Sequence, residues 1–517
     1  MKTFNKNSRG KNIIKTSGVG VICGLVNTLL SFIYRSCFLY FLSAEYLGLN
    51  GLFSNILQVL SLAELGIGAA IVFRFYDPIS KNDFYQVGKL MNFFRKVYLG
   101  IGGVILLCGL MLLPFLKYFI SDMNDVPSDV NLYFIYILYL LQSVSSYMYA
   151  YKQNMLTADQ RQYLVSFVQT GITFLKYIAQ LMILYITRNF TYTLFLSIVV
   201  NIGSNYLFSL WITKQYKEVF EVKDTITLKE KKQIYEDTKA CICHKIGGTV
   251  LNSTDNIIIT KFVSLVATGF YSNYAMIING LNTILTQLLG SFTSSLGNAH
   301  ATISQEENYL LFKRLNFVNY MVAGISTVCV YMLIDDFIRI WVGEDMLLDS
   351  LTVIALSAQL FFEVSRKITT SYTNGYGLFV KDRLRPFVEA IINLCVSILL
   401  VTRLGIAGVF IGTIVSHLLT VFWREPYILF RFGFQRNTVE YWANFLKFSL
   451  LTVGTCILFR FLKNQIGIRV ANFTLLFLEA VIVLISVTGI YAICFCATEE
   501  YKFYWNWLKG RYKNAGK

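Results

Sequence analysis

Apolar stretches about 20 residues long recur along the whole chain, and this feature limits the fold more than any other. A helix needs about 20 apolar residues to cross the hydrocarbon core of a bilayer. Backbone groups in lipid must be satisfied within their own segment, and the alternating pattern of a membrane β-barrel is missing from the sequence. The pattern predicts an all-α integral membrane protein with about 14 transmembrane helices. They are centred near residues 28, 58, 105, 140, 174, 201, 252, 281, 327, 360, 394, 417, 452 and 484.

The positive charge follows the predicted topology. The chain carries 46 Lys and Arg against 30 Asp and Glu, a net charge of +16. With the N-terminus inside, the predicted cytoplasmic loops hold most of the basic residues, which is the positive-inside pattern of membrane proteins. We therefore predict a multi-pass membrane protein with an even number of spans and both termini in the cytoplasm. Membrane lipids, including anionic lipids at the basic tail, are predicted partners, and nucleic acid is not.

Several kinds of chemistry find no support in the sequence. Cys241, Cys243 and His244 have no second Cys or His set at ligand spacing, so no metal site is predicted. The other histidines are isolated, and no GxxxxGK[ST] motif for ATP is present. We predict no catalytic residue and no cofactor, hence a transporter driven by an ion gradient, the membrane potential or the cargo's own gradient.

The two halves of the chain repeat one pattern. FLSAEYLG at residues 41–48 matches FVSLVATG at 262–269, so residue 41 corresponds to residue 262, an offset of 221. Six spans are an even number, so consecutive copies have the same orientation in the membrane. We predict two six-helix lobes related by this parallel repeat, flanking a central cleft, with two extra C-terminal helices. The predicted parts are an N-terminal lobe (1–213), a cytoplasmic connecting loop (214–239), a C-terminal lobe (240–432), helices 13 and 14 (433–498) and a basic cytoplasmic tail (499–517).

Arg35 and Lys176 lie inside apolar segments. A charged side chain near the bilayer centre costs roughly 2.5 to 3.5 kcal/mol, so such residues normally face a bundle interior or a wet cavity. Arg35 could instead extend to the outer surface, whereas Lys176 is too deep in its segment to do so easily. We predict that both line a cavity for a charged cargo.

Other polar residues follow helical spacing within the apolar segments and extend the predicted site. Glu363 and Arg366 are spaced i, i+3, and the alternative is that they only neutralise each other. The predicted cationic residues are Arg35, Lys176, Lys245 and Arg366, and the predicted polar or ion-coupling residues are Glu64, Asp255, Glu363, Glu389, Asn27, Ser31, Gln58, Asn252 and Gln169.

Three runs resemble a known family: EYLGLNGLFSNILQVLSLAELGIGAAI (45–71), FYDPIS (75–80) and LGIAGVFIGTIVSHLLTVFWREPYIL (404–429). They are similar to the bacterial polysaccharide flippases of the multidrug/oligosaccharidyl-lipid/polysaccharide (MOP) exporter superfamily. The resemblance implies that the chain moves undecaprenyl-diphosphate-linked repeat units for O-antigen, capsule or exopolysaccharide by alternating access. It also implies a cleft lined by spans 1, 2, 7 and 8, contacts of Arg35 and Lys176 with diphosphate or acidic sugars, and a polysaccharide polymerase and chain-length regulator as partners.

Other functions remain open at this point. An ion-coupled exporter of small molecules or drugs, using H⁺ or Na⁺, would rely on membrane carboxylates such as Glu64, Asp255, Glu363 and Glu389. A membrane polymerase or ligase usually needs a sizeable outer loop, and the predicted outer loops are short. A peptidoglycan-precursor flippase has a similar span count, but the motif of the second span argues against it.

Overall fold

The computed structural model describes residues 9–61, 74–79, 81–228, 230–232, 234, 253–290, 304–382, 384–467 and 470–515. Every regular element within these residues is a helix, and no strand occurs among them. The predicted all-α class is thereby confirmed.

The first half of the chain forms long helices, three of which begin at Asn or Asp caps. Asp83, Asn131 and Asn189 each accept a hydrogen bond from a first-turn N–H, which satisfies donors that have no partner within the helix. Residues 253–262 are also helical. The helices are α1 (Arg9–Phe41), α2 (Ala44–Leu60), α3 (Phe84–Leu112), α4 (Leu132–Ala158), α5 (Gln162–Thr187), α6 (Phe190–Gln215) and α7 (Leu265–Gly290), with short helical turns at Leu113–Phe119, Met123–Asp125 and Lys217–Phe220.

The second half contains the longest helix, α8, which begins at a capping box formed by Ser304 and Glu307. Pro386 occupies the first turn of α11, where a missing N–H costs no hydrogen bond. The helices are α8 (Gln305–Val342), α9 (Ser350–Ser365), α10 (Lys367–Gly375), α11 (Arg385–Leu404), α12 (Ile406–Leu419), α13 (Val421–Ile428), α14 (Val439–Ile466), α15 (Phe473–Phe495) and α16 (Glu499–Ala515). Helical turns at Glu344–Met346 and Leu378–Asp382 and a π-helical turn at Leu429–Phe434 complete the set.

The helices agree with the predicted membrane segments. Of the described residues, nine helical stretches are long and apolar enough to cross a membrane: α1, α3, α5, α6, α8, α11, α12 with α13, α14 and α15. The predicted segment centres lie on helices wherever they fall in the described part of the chain. The centre near residue 252 lies outside it.

The described residues form two compact units. Unit 1 comprises those within Met1–Ser272 and Pro386–Leu394, and unit 2 those within Asn273–Arg385 and Cys395–Lys517. The core of unit 1 is built by α2, α3, α4 and α6, with Phe53, Tyr98 and Tyr136 almost fully buried. The lobes defined above by the sequence repeat stay a prediction.

Two glycines at equivalent positions of the repeat bring helices of unit 1 into backbone contact. A Cβ on Gly48 would lie 2.2 Å from the carbonyl oxygen of Leu265, and a Cβ on Gly269 would lie 2.2 Å from that of Ala44. With the offset of 221, Gly48 corresponds to Gly269 and Ala44 to Leu265. The contact is therefore reciprocal, and only glycine allows so close an approach.

In unit 2, α14 and α15 pack against α8. Phe317 of α8 contacts the rings of Phe448 and Phe495. Lys463 of α14 donates to Asp336 of α8 and, at 2.7 Å, to Glu479 of α15. The last two apolar helices are thus joined to α8 by aromatic packing and by charge.

Candidate functional site: a cationic cavity in unit 1

Unit 1 contains an open cavity of about 590 Å³ lined by α1, α2, α4, α5 and α6. This volume lies within the range of small-molecule and cofactor sites. We call it the unit 1 cavity; its lining residues are Tyr34, Arg35, Phe38, Leu47, Asn50, Ser54, Leu57, Gln58, Ser61, Tyr139, Gln142, Ser143, Lys176, Tyr177, Gln180, Phe190, Leu194 and Ser197.

Arg35 enters the cavity from α1 and is held in position by a serine. Its Nη1 donates to Ser272 Oγ at 2.8 Å, and Ser272 Oγ donates in turn to the carbonyl of Gly269 at 2.7 Å. The guanidinium carries five N–H donors in a planar fork, which suits carboxylate and phosphate oxygens. The hydrogen bond to Ser272 fixes the orientation of this fork without neutralising its charge.

Lys176 reaches the same cavity from α5. Its side chain is half-buried, and Nζ lies 5.3 Å from the centre of the Tyr177 ring. In the described part of the chain its ammonium makes no hydrogen bond or ion pair. A cation–π contact of this kind compensates only part of the lost hydration, so the ammonium retains the capacity to bind an anion.

Tyrosines connect the helices that carry the two cations. The rings of Tyr34 and Tyr177 stack with their centres 4.5 Å apart and their planes at 9°. Tyr177 OH lies 3.2 Å from Ser31 Oγ, and Tyr139 OH donates to Asn50 Oδ1 at 2.7 Å. The α1–α5 pair is therefore held by aromatic stacking directly beside Arg35 and Lys176.

Amide side chains supply the uncharged polar part of the wall. Gln58 and Gln142 line the cavity, and Gln58 is exposed. Gln180 is only 8% exposed, and its Oε1 has no hydrogen-bond donor within the described residues. A buried amide oxygen without a partner costs about 1–3 kcal/mol, so a hydroxyl donor from a ligand would relieve that cost.

The charge of the unit 1 cavity is one-sided. Its described lining contains two cations and no carboxylate, since Glu64 lies outside the described residues. A described lining with two cations and no carboxylate favours an anionic ligand and disfavours a cationic one.

Three predicted polar residues lie beside the cavity and hold its helices together. Asn27 Nδ2 donates to Thr170 Oγ1 at 3.1 Å, which joins α1 to α5 about two turns before Arg35. Ser31 contacts Tyr177, and Gln169 Nε2 donates to Asn205 Oδ1 at 3.0 Å, which joins α5 to α6. Of the stripe predicted from helical spacing, Gln58 lines the cavity while these residues support it.

The remaining predicted residues are placed elsewhere. Asp255 and Glu389 are buried in unit 1 outside the lining of the cavity. Arg366 lies in unit 2 and forms an ion pair with Glu425 at 3.1 Å, rather than with Glu363. Lys245, Glu64 and Asn252 lie outside the described residues.

The sequence did not single out the tyrosines of the cavity. The chain has 33 Tyr and 42 Phe, so an aromatic residue in an apolar helix carries little information by itself. A usable signal was the adjacency of Tyr34 to Arg35 and of Tyr177 to Lys176, because each cation has a ring beside it in the sequence.

Solved structures of similar shape are membrane transporters. The lipid II flippase MurJ in an inward closed conformation superposes with a TM-score of 0.67 at 13% identity, covering 92% of this chain and 98% of MurJ. An inward-facing multidrug resistance MATE transporter gives 0.59 at 14% identity, covering 80% of this chain and 98% of that one. A MOP superfamily transporter from Pyrococcus furiosus, described as having a binding pocket of reverse polarity, gives 0.53 at 15%, with 82% and 96% covered.

These likenesses concern the fold. The chain has the fold of MOP superfamily transporters, and its apolar helices identify a multi-pass membrane protein. No family profile and no curated protein matches the sequence. The fold is the one that the predicted resemblance implies, whereas membership of the superfamily and of its polysaccharide branch stays a prediction.

Proposed function

We propose that the chain is a flippase that carries a diphosphate-linked saccharide on a polyprenyl lipid from the cytoplasmic to the outer leaflet of the bacterial cytoplasmic membrane. The observation that carries the proposal is that two cationic side chains from different helices, Arg35 and Lys176, line the same cavity of unit 1. Both termini are placed in the cytoplasm in this proposal, in agreement with the positive-inside pattern.

The physical task of a flippase explains the need for such a cavity. A diphosphate in hydrocarbon would bury several unpaired charges, and the cost of that is prohibitive. In the unit 1 cavity the oriented guanidinium of Arg35 and the ammonium of Lys176 would replace water around the phosphate oxygens. The lipid chain can stay in the bilayer while the head group crosses through polar surroundings.

The rest of the wall suits a saccharide. Gln58, Gln142 and Gln180 present amide donors and acceptors for sugar hydroxyls. The tyrosine rings offer flat apolar faces of the kind that pack against sugar rings. A repeat unit for surface polysaccharide has both parts, a diphosphate and several sugars, and is the substrate we favour.

Export of cationic drugs, the alternative within the same fold, fits this cavity less well. Cation exporters would need carboxylates where the cargo binds, and the described lining has none. An enzymatic function has no support from the similar solved structures, which are transporters.

The decisive test is flipping by the purified protein in proteoliposomes that contain a fluorescent polyprenyl-diphosphate oligosaccharide. Each charged hydrogen bond contributes about 1.5–3 kcal/mol, so Arg35→Gln and Lys176→Gln should each slow flipping about tenfold or more. Lys117→Gln, which removes an exposed lysine from an outer turn, is the matched control and should flip at the wild-type rate.

The same assay separates the competing outcomes. A double variant with Arg35→Gln and Lys176→Gln that still flips the diphosphate lipid at the wild-type rate would refute the proposal. Wild-type transport of a cationic dye, insensitive to both substitutions, would favour the exporter instead. Comparing lipid II with a polysaccharide repeat unit as substrate distinguishes the two kinds of lipid-linked saccharide.

A further inference from the structure

A smaller cavity lies in unit 2, where α8 and α14 begin and α15 ends. We call it the unit 2 cavity; side chains from these helices, from α16 and from the π-helical turn line it. Its volume is about 50 Å³, and one water needs about 10–15 Å³, so there is room for about four water-sized groups. In the proposed topology this end of unit 2 lies at the cytoplasmic surface of the membrane, at the depth of the lipid head groups.

Two acceptor groups of the unit 2 cavity have no hydrogen-bond donor among the described residues. Asn316 of α8 is only 5% exposed, and its Oδ1 is buried without a partner. Glu500 of α16 forms an ion pair with Lys313, but Nζ lies 3.6 Å from its Oε1, which is too long for a hydrogen bond. A buried acceptor without a donor is unfavourable, so the cavity favours a ligand that donates hydrogen bonds.

The charged side chains of the unit 2 cavity balance each other. Glu440 of α14 accepts from Lys313 Nζ at 2.5 Å and from Tyr309 OH at 2.6 Å, so this carboxylate already has its partners. Lys447, about two turns farther along α14, is exposed and makes no hydrogen bond or ion pair with the described residues. The described lining holds two cations and two carboxylates, so its net charge is zero. An available cation at the rim and available acceptors inside favour a ligand that carries both a negative and a positive group.

Aromatic rings form much of the remaining wall. Phe312, Phe430 and Tyr441 line the cavity and are almost fully buried. The faces of such rings attract ammonium groups, and the attraction grows when the cation is removed from water. The interior therefore suits the positive end of the ligand, and its volume limits that end to a few heavy atoms.

We propose that the unit 2 cavity binds the head group of a phosphatidylethanolamine of the inner leaflet. The ammonium has three N–H donors, which meet Asn316 Oδ1 and the Glu500 carboxylate inside the aromatic wall. The phosphate meets Lys447 at the rim, and the acyl chains stay in the bilayer. The part that enters the cavity is an ammonium on two carbons, which matches the available volume. This site shares no residue with the unit 1 cavity and is additional to the proposed substrate site.

Hydrogen-bond donors distinguish this head group from those of two other phospholipids. Phosphatidylcholine has the same phosphate, but three methyl groups replace the N–H bonds and leave Asn316 Oδ1 unpaired. Phosphatidylglycerol has hydroxyl donors but lacks the positive charge that matches Glu500. Either lipid therefore loses a charged hydrogen bond that phosphatidylethanolamine makes.

Lipid titration of the purified full-length protein in detergent tests the site, with native mass spectrometry and thermal unfolding as readouts. We expect dioleoyl phosphatidylethanolamine to bind about tenfold more tightly than dioleoyl phosphatidylcholine or phosphatidylglycerol, because one charged hydrogen bond separates them. At saturation it should raise the melting temperature by about 2 °C or more above that in phosphatidylcholine, since a ligand that binds only the folded state stabilises it. Soluble phosphoethanolamine at the same concentration should give no shift, because it lacks the acyl chains that keep the lipid at the membrane surface.

Variants of the lining make the result specific. Asn316→Leu and Glu500→Gln should each remove the preference for phosphatidylethanolamine over phosphatidylcholine, and this preference is measured within each variant, whatever its own stability. Lys447→Gln should weaken the binding of both lipids equally, since both carry the phosphate. Glu499→Gln removes an exposed carboxylate of the same turn that does not line the cavity, and it should keep the wild-type preference.

Three results would overturn the proposal. The first is equal binding of phosphatidylethanolamine and phosphatidylcholine by the wild type, or a preference that persists in both Asn316→Leu and Glu500→Gln. The second is a melting temperature that no lipid changes, which would identify water as the occupant. The third is an equal shift with soluble phosphoethanolamine, which would reject a lipid as the natural ligand.

Discussion

The unit 1 cavity of the first half and the surroundings of Glu363 in unit 2, where Asn282 and Gln359 donate to its carboxylate, share positions in the sequence repeat but differ in charge. With the offset of 221, Gln142 on the cavity wall corresponds to Glu363, and Ser61 corresponds to Asn282. An uncharged wall beside two cations in one unit thus has an acidic counterpart in the other. The two copies keep one helical pattern while offering opposite charges to a ligand.

The positions that correspond in the repeat to the two cations of the unit 1 cavity carry uncharged residues. Arg35 corresponds to Asn256 and Lys176 to Ser397. Ser397 donates to the carbonyl of Val409 at 3.1 Å, in a contact so close that a Cβ on Gly412 would lie 2.4 Å from its Oγ. No lysine fits there. The same helix position faces a cavity in unit 1 and a tight helix contact in unit 2, so the second copy has no room for a lysine at this position.

The largest expected effect concerns the glycine pair that supports the offset itself. Gly48→Val and Gly269→Val would each force a side chain into a backbone carbonyl, and overpacking of this kind costs about 1–3 kcal/mol. We expect each to lower the melting temperature in detergent by a similar amount, because the contact is reciprocal. Equal decreases in melting temperature for the two variants would support the residue-by-residue correspondence of the two copies.

Gly203→Val provides the control for this pair. Gly203 lies in α6 of the same unit, and a Cβ there would meet no atom within 4 Å. Its melting temperature should stay near that of the wild type. If Gly48→Val and Gly269→Val behave like Gly203→Val, the close contact is wrong and the offset loses its structural support.

The sequence was sufficient for those features that a bilayer enforces. Segment length placed the helices. The cost of a buried charge predicted that Arg35 and Lys176 line a cavity for a charged cargo. Both are lining residues of the unit 1 cavity, and their role in binding a cargo stays a prediction. The partner of Arg366 could not be predicted in this way. Spacing suggested Glu363, but α9 ends at Ser365, and the side chain of Arg366 turns to Glu425 of α13. Contacts between distant helices depend on packing that no local spacing encodes.

The second prediction tests the charge difference between Gln142 of the unit 1 cavity and its repeat counterpart Glu363. Gln142→Glu gives the unit 1 cavity the carboxylate that its counterpart position carries in unit 2. A negative charge in a cavity built for an anion should slow flipping of the diphosphate lipid about tenfold, which equals about 1.4 kcal/mol of lost binding. The flipping assay in proteoliposomes measures it.

Gln142→Leu separates charge from the loss of the amide. It removes the same hydrogen-bonding group without adding a charge, so it should flip faster than Gln142→Glu. Equal rates for the two variants would mean that the cavity does not discriminate by charge. The difference in charge between the unit 1 cavity and the surroundings of Glu363 would then have no effect on transport.

The smallest expected effect concerns the predicted connecting segment at 214–239, whose described residues belong to unit 1. Its carbonyl at Val222 accepts from Asn92 Nδ2 of α3 at 2.6 Å. Farther on, Thr227 donates through its N–H and its Oγ1 to Glu230 Oε2, both at 2.8 Å. The hydrogen bonds from Thr227 lower the pKa of Glu230 below its ordinary value of 4.5, because they stabilise the ionised form.

Glu230→Gln should loosen this segment locally by about 1 kcal/mol, the typical value of a helix cap, without affecting flipping. Hydrogen exchange of the Thr227 amide at pH 7 should then be about fivefold faster than in the wild type. A group with a lowered pKa stabilises the fold above its unfolded pKa, and this contribution is lost as the pH falls through the folded pKa. After correction for intrinsic exchange, the wild type should lose protection below about pH 4.5, whereas Glu230→Gln should show no such step. A step of equal size in both proteins would assign the pH dependence to another titratable group. It would also mean that the hydrogen bonds between Thr227 and Glu230 do not stabilise this segment.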